Sequence, residues 1–187
     1  QNNVSPHHIR HRGCELRNSP SGHGVLLGDQ SNFNEFLWCS IHDNGASKPD
    51  GSSDNHGFYV QSNDNVFDGC DIYNQAHGYA FHVYNGTQSR DRILRNRIWN
   101  CAVGGMDVHG NEHIVALNRI WLEGLEANGI YLGDNGQTTG GTLVAHNAVW
   151  NVWAAVVIRP GGLAPRVLNN AWEMTRSGIE LEDQGAI

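Results

Sequence analysis

The chain is 187 residues long, enough to bury one core and short enough to be read as a single domain over residues 1–187. Its formal net charge of −7, its single lysine (Lys48) and its scattered arginines exclude the clustered basic footprint that a nucleic-acid partner requires. No apolar run approaches the roughly 20 residues of a membrane span, and the opening stretch QNNVSPHHIRHRG has no signal-peptide apolar region.

In chain order, one short pattern recurs: GCELRN (13–18), WCSIHD (38–43), GCDIYN (69–74), RNRIWN (95–100), LNRIWL (117–122), HNAVWN (146–151) and NNAWEM (169–174). It stacks Cys14, Cys39, Cys70, Asn96, Asn118, Asn147 and Asn170 in one column, with Leu16, Ile41, Ile72, Ile98, Ile120, Val149 and Trp172 two positions later. After each comes a second segment: GVLLG (24–28), GFYVQ (57–61), YAFHVY (79–84), GMDVH (105–109), GIYLG (129–133), AVVIR (155–159) and GIELE (178–182). Alternation of apolar and variable positions there predicts a short strand with one buried face. Column residues 14, 39, 70, 96, 118, 147 and 170 are 25, 31, 26, 22, 29 and 23 apart, the spacing of one solenoid coil wound about seven times.

No amphipathic helix lies between these strands, so helical repeats and the leucine-rich horseshoe are excluded. The remaining architecture is an all-β parallel solenoid, each coil pairing its backbone with its neighbours at about 4.8 Å. Stacked Asn amides satisfy one another and the turn backbone. The first three cysteines fill the same slot as small buried hydrophobes, and no two cysteines have zinc-ligand spacing, so reduced structural thiols are expected. Residues 44–55 and 134–141 read as protruding loops. The chain starts and stops without a helical cap, as a mature form or a segment of a longer repeat protein would.

Two readings of Trp99, Trp121, Trp150 and Tyr73 stand: a stacked ridge, which is favoured, or a sugar platform. His23 and His56, each before a strand glycine, are expected to stack as turn residues. His77 and His113 are expected to be solvated turn residues.

The outward positions of the second strand are Leu26, Tyr59, His82, Asp107, Tyr131, Val157 and Glu180, beside a strip of Gly28, Gln61, Tyr84, His109, Gly133, Arg159 and Glu182. Titratable and aromatic groups therefore concentrate on the middle coils, where a purely structural surface would show Thr, Ser, Asn and Lys. One register choice sets His82 beside Asp107, the other beside His109.

The repeat resembles the right-handed parallel β-helix of the pectate-lyase-like superfamily over essentially the whole chain, and GMDVHG resembles the strand of mannuronan C5-epimerases and related alginate lyases. Asp107 and His109 match that strand's Asp-Pro-His, with Val108 in place of the proline and Gly110 in place of the acidic residue that follows. The resemblance implies a secreted, periplasmic or cell-surface protein whose partner is a polysaccharide, most readily an acidic glycan.

Lyase and epimerase chemistry both begin by removing the proton next to a carboxylate, which must be neutralised first. His109 would be the base, since an imidazole titrates near neutrality. Tyr131 or Tyr84 would donate or relay a proton, His82 would orient or share the base role, and Tyr59, Tyr84 and Gln61 would contact substrate. Arg159, or Ca²⁺ held by Asp107 and Asp134, would neutralise the carboxylate. The alternative is a non-catalytic glycan-binding or structural module. Glycoside hydrolysis comes third, because Asp107 has no partner carboxylate in the same patch except Asp134 on a loop, while Glu180 and Glu182 lie about three coils off.

Overall fold

The computed structural model describes residues 7–45, 55–84, 87–122, 127–133, 139–160, 162–173 and 175–182. Each coil contributes three short strands, which build three seven-stranded sheets paired in parallel throughout. The first sheet runs from Arg10–Arg12 to Arg166–Leu168, the second from Glu15–Arg17 to Ala171–Glu173, and the third from Val25–Leu27 to Ser177–Leu181. A fourth, three-stranded sheet (Gly110–Asn111, Thr139–Gly140, Gly162–Leu163) lies beyond the third in the middle coils.

One residue in two faces inward, and like stacks on like. Phe36, Phe67, Ile93, Val115 and Val144 line the first sheet, Ile41, Ile72, Ile98, Ile120 and Val149 the second, and Phe58, Phe81, Met106, Ile130 and Val156 the third, all buried. At about 1.5–3 kcal/mol for each such side chain removed from water, this interior is the main favourable term.

Side-chain ladders hold the corners. The Asn96 backbone N–H donates to Asn118 Oδ1 at 2.9 Å, Asn118 to Asn147 at 3.0 Å and Asn147 to Asn170 at 2.8 Å. Cys70, as expected, occupies the same column and donates its N–H to Asn96 Oδ1. All four cysteines are free thiols, and burial pushes Cys70 and Cys101 up to about 12, so they are inert at neutral pH.

A second ladder precedes the first sheet, where Asn34, Asn65, Asp91 and His113 each accept the backbone N–H of the coil below. Here the expectation for His113 fails. It is fully buried rather than solvated, because its turn is folded inward as a ladder rung. Burial holds its pKa down at about 4 and raises the Asp91 carboxyl to about 8. His113 Nδ1 accepts the Asp91 N–H, so its proton is on Nε2, which donates to the His109 carbonyl at 2.8 Å. Asp91 Oδ2, 3.4 Å from His113 Nδ1, has no hydrogen-bond partner.

Because the folded-state pKa of Asp91 lies above its unfolded value, its contribution is present at low pH and is lost as pH rises through about 8. That of His113, depressed, is lost as pH falls from 6.5 toward 4. Asp91→Asn keeps the acceptor for Asn65 and cannot ionise in this dry position. The variant is expected to be more stable than the parent by roughly 1–3 kcal/mol at alkaline pH. Urea midpoints should diverge as pH rises from 6.5 to 8; parallel curves would contradict a neutral Asp91 in the fold.

Candidate functional site

The third sheet settles the register. His82 pairs with Asp107, and Asp107 with Tyr131, so Leu26, Tyr59, His82, Asp107, Tyr131, Val157 and Glu180 form one outward column. Met106 and Val108 point into the core. Tandem glycines make room at the centre of the column: a Cβ on Gly104 would lie 2.8 Å from the Tyr79 ring. Gly110 turns the chain out of the strand at φ +100°, where a Cβ would meet the Gln88 carbonyl at 2.2 Å.

Around Asp107 the structure gathers the expected groups. His109 Nε2 lies 3.0 Å from Asp107 Oδ1, His82 Nε2 4.0 Å from Oδ2, and an Arg159 Nη 3.6 Å from Oδ2. Arg159 comes from two strands away in the sheet, which its long side chain spans. Its guanidinium lies 3.8 Å from the centre of the Tyr131 ring, and its Nε is 3.6 Å from Glu182. Burial opposes that charge, but Asp107, the neighbouring tyrosines and Glu182 outweigh it and raise the Arg159 pKa. Tyr131 hydrogen-bonds Asn128 through its hydroxyl.

Tyr59 and Tyr84 wall the other side, with Tyr84 5.0 Å from His82 and 5.7 Å from His109 between ring centres; Gln61 reaches the Tyr59 hydroxyl at 3.5 Å. Asp134, the second acid of the calcium expectation, lies outside the described residues. Asp107 is joined by imidazoles rather than by the oxygen-rich shell that Ca²⁺ takes. The ligand atoms of His82, Asp107 and His109 do lie within 4.8 Å of one another, a set more suited to a transition metal.

Although the column points outward, the cluster is largely covered: the side chain of His109 is 0% exposed, Asp107 6%, His82 15% and Arg159 20%. The accessible edge is therefore His82 and Arg159.

Three residues that the sequence did not place at the site belong here. Tyr79 lies against His82 and Tyr131, and burial, then the charge of Asp107, raises its pKa. Asn128 anchors Tyr131. His56, stacked on His23 at 5.3 Å as expected, also lies 2.8 Å from His82 through its ring nitrogen. For His56 the signal was the shared His-Gly start of two consecutive strands.

On the second sheet, His42, Tyr73, Trp99, Trp121 and Trp150 form one continuous stack with centroids 4.2–5.2 Å apart and planes within 9°. Ring faces are turned to one another and only edges face out, which is the geometry of a ridge and not of a flat platform for a sugar.

The family model for the right-handed β-helix region matches residues 3–172. The chain belongs to the right-handed β-helix family. Among solved structures it is similar to a double mutant of the tailspike protein of E. coli bacteriophage HK620, with a TM-score of 0.59 and 14% identity over 92% of this chain. The match takes in 43% of the tailspike chain, so this β-helix chain spans less than half of that protein's length, and the likeness concerns the fold alone. No curated protein matches the sequence. In the described residues of this β-helix, no helix is long and apolar enough to cross a membrane.

Proposed function

We propose that this β-helix protein binds an acidic glycan over its third sheet and removes the proton next to a carboxylate, as a polysaccharide lyase or a uronan C5-epimerase. The observation that carries the reading is a single carboxylate, Asp107, set between two histidines with an arginine on its free edge. Asp107 accepts the Nε2–H of His109, so the proton-accepting capacity of neutral His109 resides on Nδ1 and the imidazolium formed there is stabilised by the carboxylate. Arg159 exchanges Glu182 for the substrate carboxylate and neutralises it. The C–H bond breaks as His109 takes the proton. In a lyase a C=C bond forms, the glycosidic C–O bond breaks and its oxygen takes a proton from His82; in an epimerase the glycosidic bond stays and the His82 N–H bond breaks instead to return a proton to the same carbon from the opposite side. Tyr131 holds Arg159 from beneath, and Tyr59, Tyr84 and Gln61 contact the chain of sugars. A secreted or cell-surface location follows from such a substrate.

Hydrolysis is less well served. Among the described residues the cluster has one carboxylate, and Glu182, from three strands along the sheet, is paired with Arg159, as Asp107 is, so the guanidinium stands between the two acids and no second carboxyl group faces Asp107 directly. The burial of His109 favours a second reading, a glycan-binding module without turnover. Incubation with alginate and with polygalacturonate, with and without Ca²⁺, separates these. Ultraviolet absorbance of an unsaturated end marks the lyase, and an altered uronate in the polymer NMR spectrum marks the epimerase. New reducing ends without unsaturation would transfer the case to hydrolysis. Retarded migration in a polymer-containing gel without chemical change would leave the binding module.

A further inference from the structure

The corner before the third sheet carries its own ladder, and in the first coils its rungs are histidines. The His56 N–H donates to His23 Nδ1 at 3.1 Å, and the Tyr79 N–H donates to His56 Nδ1 at 3.1 Å. Further along, Asn128 holds the same place and accepts the Ala154 N–H through Oδ1 at 2.9 Å. An imidazole nitrogen that accepts a backbone N–H carries no proton, so neutral His56 has its proton on Nε2. That nitrogen lies 2.8 Å from His82 Nδ1, which must therefore accept, and the proton of neutral His82 is on Nε2, the atom 4.0 Å from Asp107.

We propose that His56 is a positioning residue that locks His82 in the tautomer with its proton on Nε2, making His82 the proton donor of the Asp107 cluster and leaving the accepting role to His109. The two histidines, alike in sequence terms, are thereby given opposite duties by their hydrogen bonds. Backbone geometry fixes the direction of the relay, since neither the Tyr79 N–H nor the His56 N–H can be reversed. The same lock removes the Nε2 lone pair that a metal would need from His82. His56 sits against Tyr59 and Tyr79 on its faces, with ring centres 5.6 and 5.7 Å away, which hold it in the plane the relay requires. The donor role rests on the proton-transfer reading above; the tautomer itself does not, and is measurable in the protein without substrate.

Long-range proton–nitrogen correlations of the histidine rings in ¹⁵N-labelled protein read the tautomer directly. His82 is expected to show a protonated Nε2 and an unprotonated Nδ1. His56→Asn keeps the acceptor for the Tyr79 N–H, as Asn128 does for Ala154, but removes the donor to His82; the His82 signals should move to a mixture of tautomers. On a polymer that is turned over, kcat should fall roughly 10- to 100-fold with KM little changed, the size expected for a group that orients another imidazole. A wild-type His82 protonated on Nδ1 would overturn the lock whatever the activity, and so would a His82 tautomer unmoved in His56→Asn. A confirmed tautomer in a protein that turns over no polymer would leave the lock standing and remove the donor role.

Discussion

Replacing His109 by Gln is expected to lower turnover by roughly 10²–10⁴-fold, the contribution of a positioned general base. Gln retains a nitrogen donor for Asp107 and most of the volume of a side chain that is wholly buried, but cannot accept and hold a proton. Alanine would confuse the issue, since it would open a cavity beside His82 and Tyr84 and remove a hydrogen-bond donor from Asp107, and lost activity could then follow from lost structure. The check pairs initial rates on the responsive polymer with urea midpoints. Low rates at an unchanged midpoint are the predicted result. Rates within twofold of the parent would remove His109 from the chemistry.

The largest expected effect on stability lies in a residue with no part in that chemistry. Asn118 Oδ1 accepts from both nitrogens of Asn96 at 2.9 and 3.0 Å, and its Nδ2 donates to the Ile93 carbonyl and to Asn147 Oδ1, each at 2.9 Å. Asn118→Ala leaves these partners in a dry interior, where each unsatisfied group costs about 1–3 kcal/mol. A total of roughly 4–6 kcal/mol follows after partial rearrangement, a large share of the roughly 5–15 kcal/mol that holds a domain together. Asn170 makes the same kind of bonds at the solvent-touched end of the column, where water can replace it. Asn170→Ala should therefore cost only about 1 kcal/mol. Chemical denaturation of both variants decides: equal losses would mean that the ladder does not act through buried hydrogen bonding.

In a parallel solenoid a sequence column becomes a row of neighbours about 4.8 Å apart, which is why so much was legible. The alignment that stacked Cys70, Asn96, Asn118, Asn147 and Asn170 is the ladder seen, and Tyr59, His82, Asp107 and Tyr131 are consecutive partners in one sheet. Depth was harder to read. Alternation told that Asp107 points outward but not that Arg159, two strands away, would fold over it, because a long side chain crosses columns that a strand pattern keeps apart.

The same limit hid the second ladder. Asn34, Asn65, Asp91 and His113 each stand one residue before a first-sheet strand, a signal present in the sequence but masked by their different chemistry. His113 was expected in solvent because turn residues usually are; here the turn bends inward so that its ring can satisfy a backbone N–H and pin His109. His56 illustrates the remaining gap. Its stacking on His23 followed from spacing, while its bond to His82 depends on ring orientation, which no pattern of residue types encodes.

The proposed reaction begins when the Asp107 cluster takes a proton from the carbon beside a glycan carboxylate. Hydrogen exchange at that carbon tests it most directly: incubation of the acidic polymer in heavy water with the protein, followed by NMR of the recovered sugar units. Deuterium at the carbon next to the carboxylate, or loss of that hydrogen with formation of the double bond, is the predicted result, and it should be absent with His109→Gln. Polymer recovered with every such hydrogen in place, whether intact or cleaved, would contradict the account.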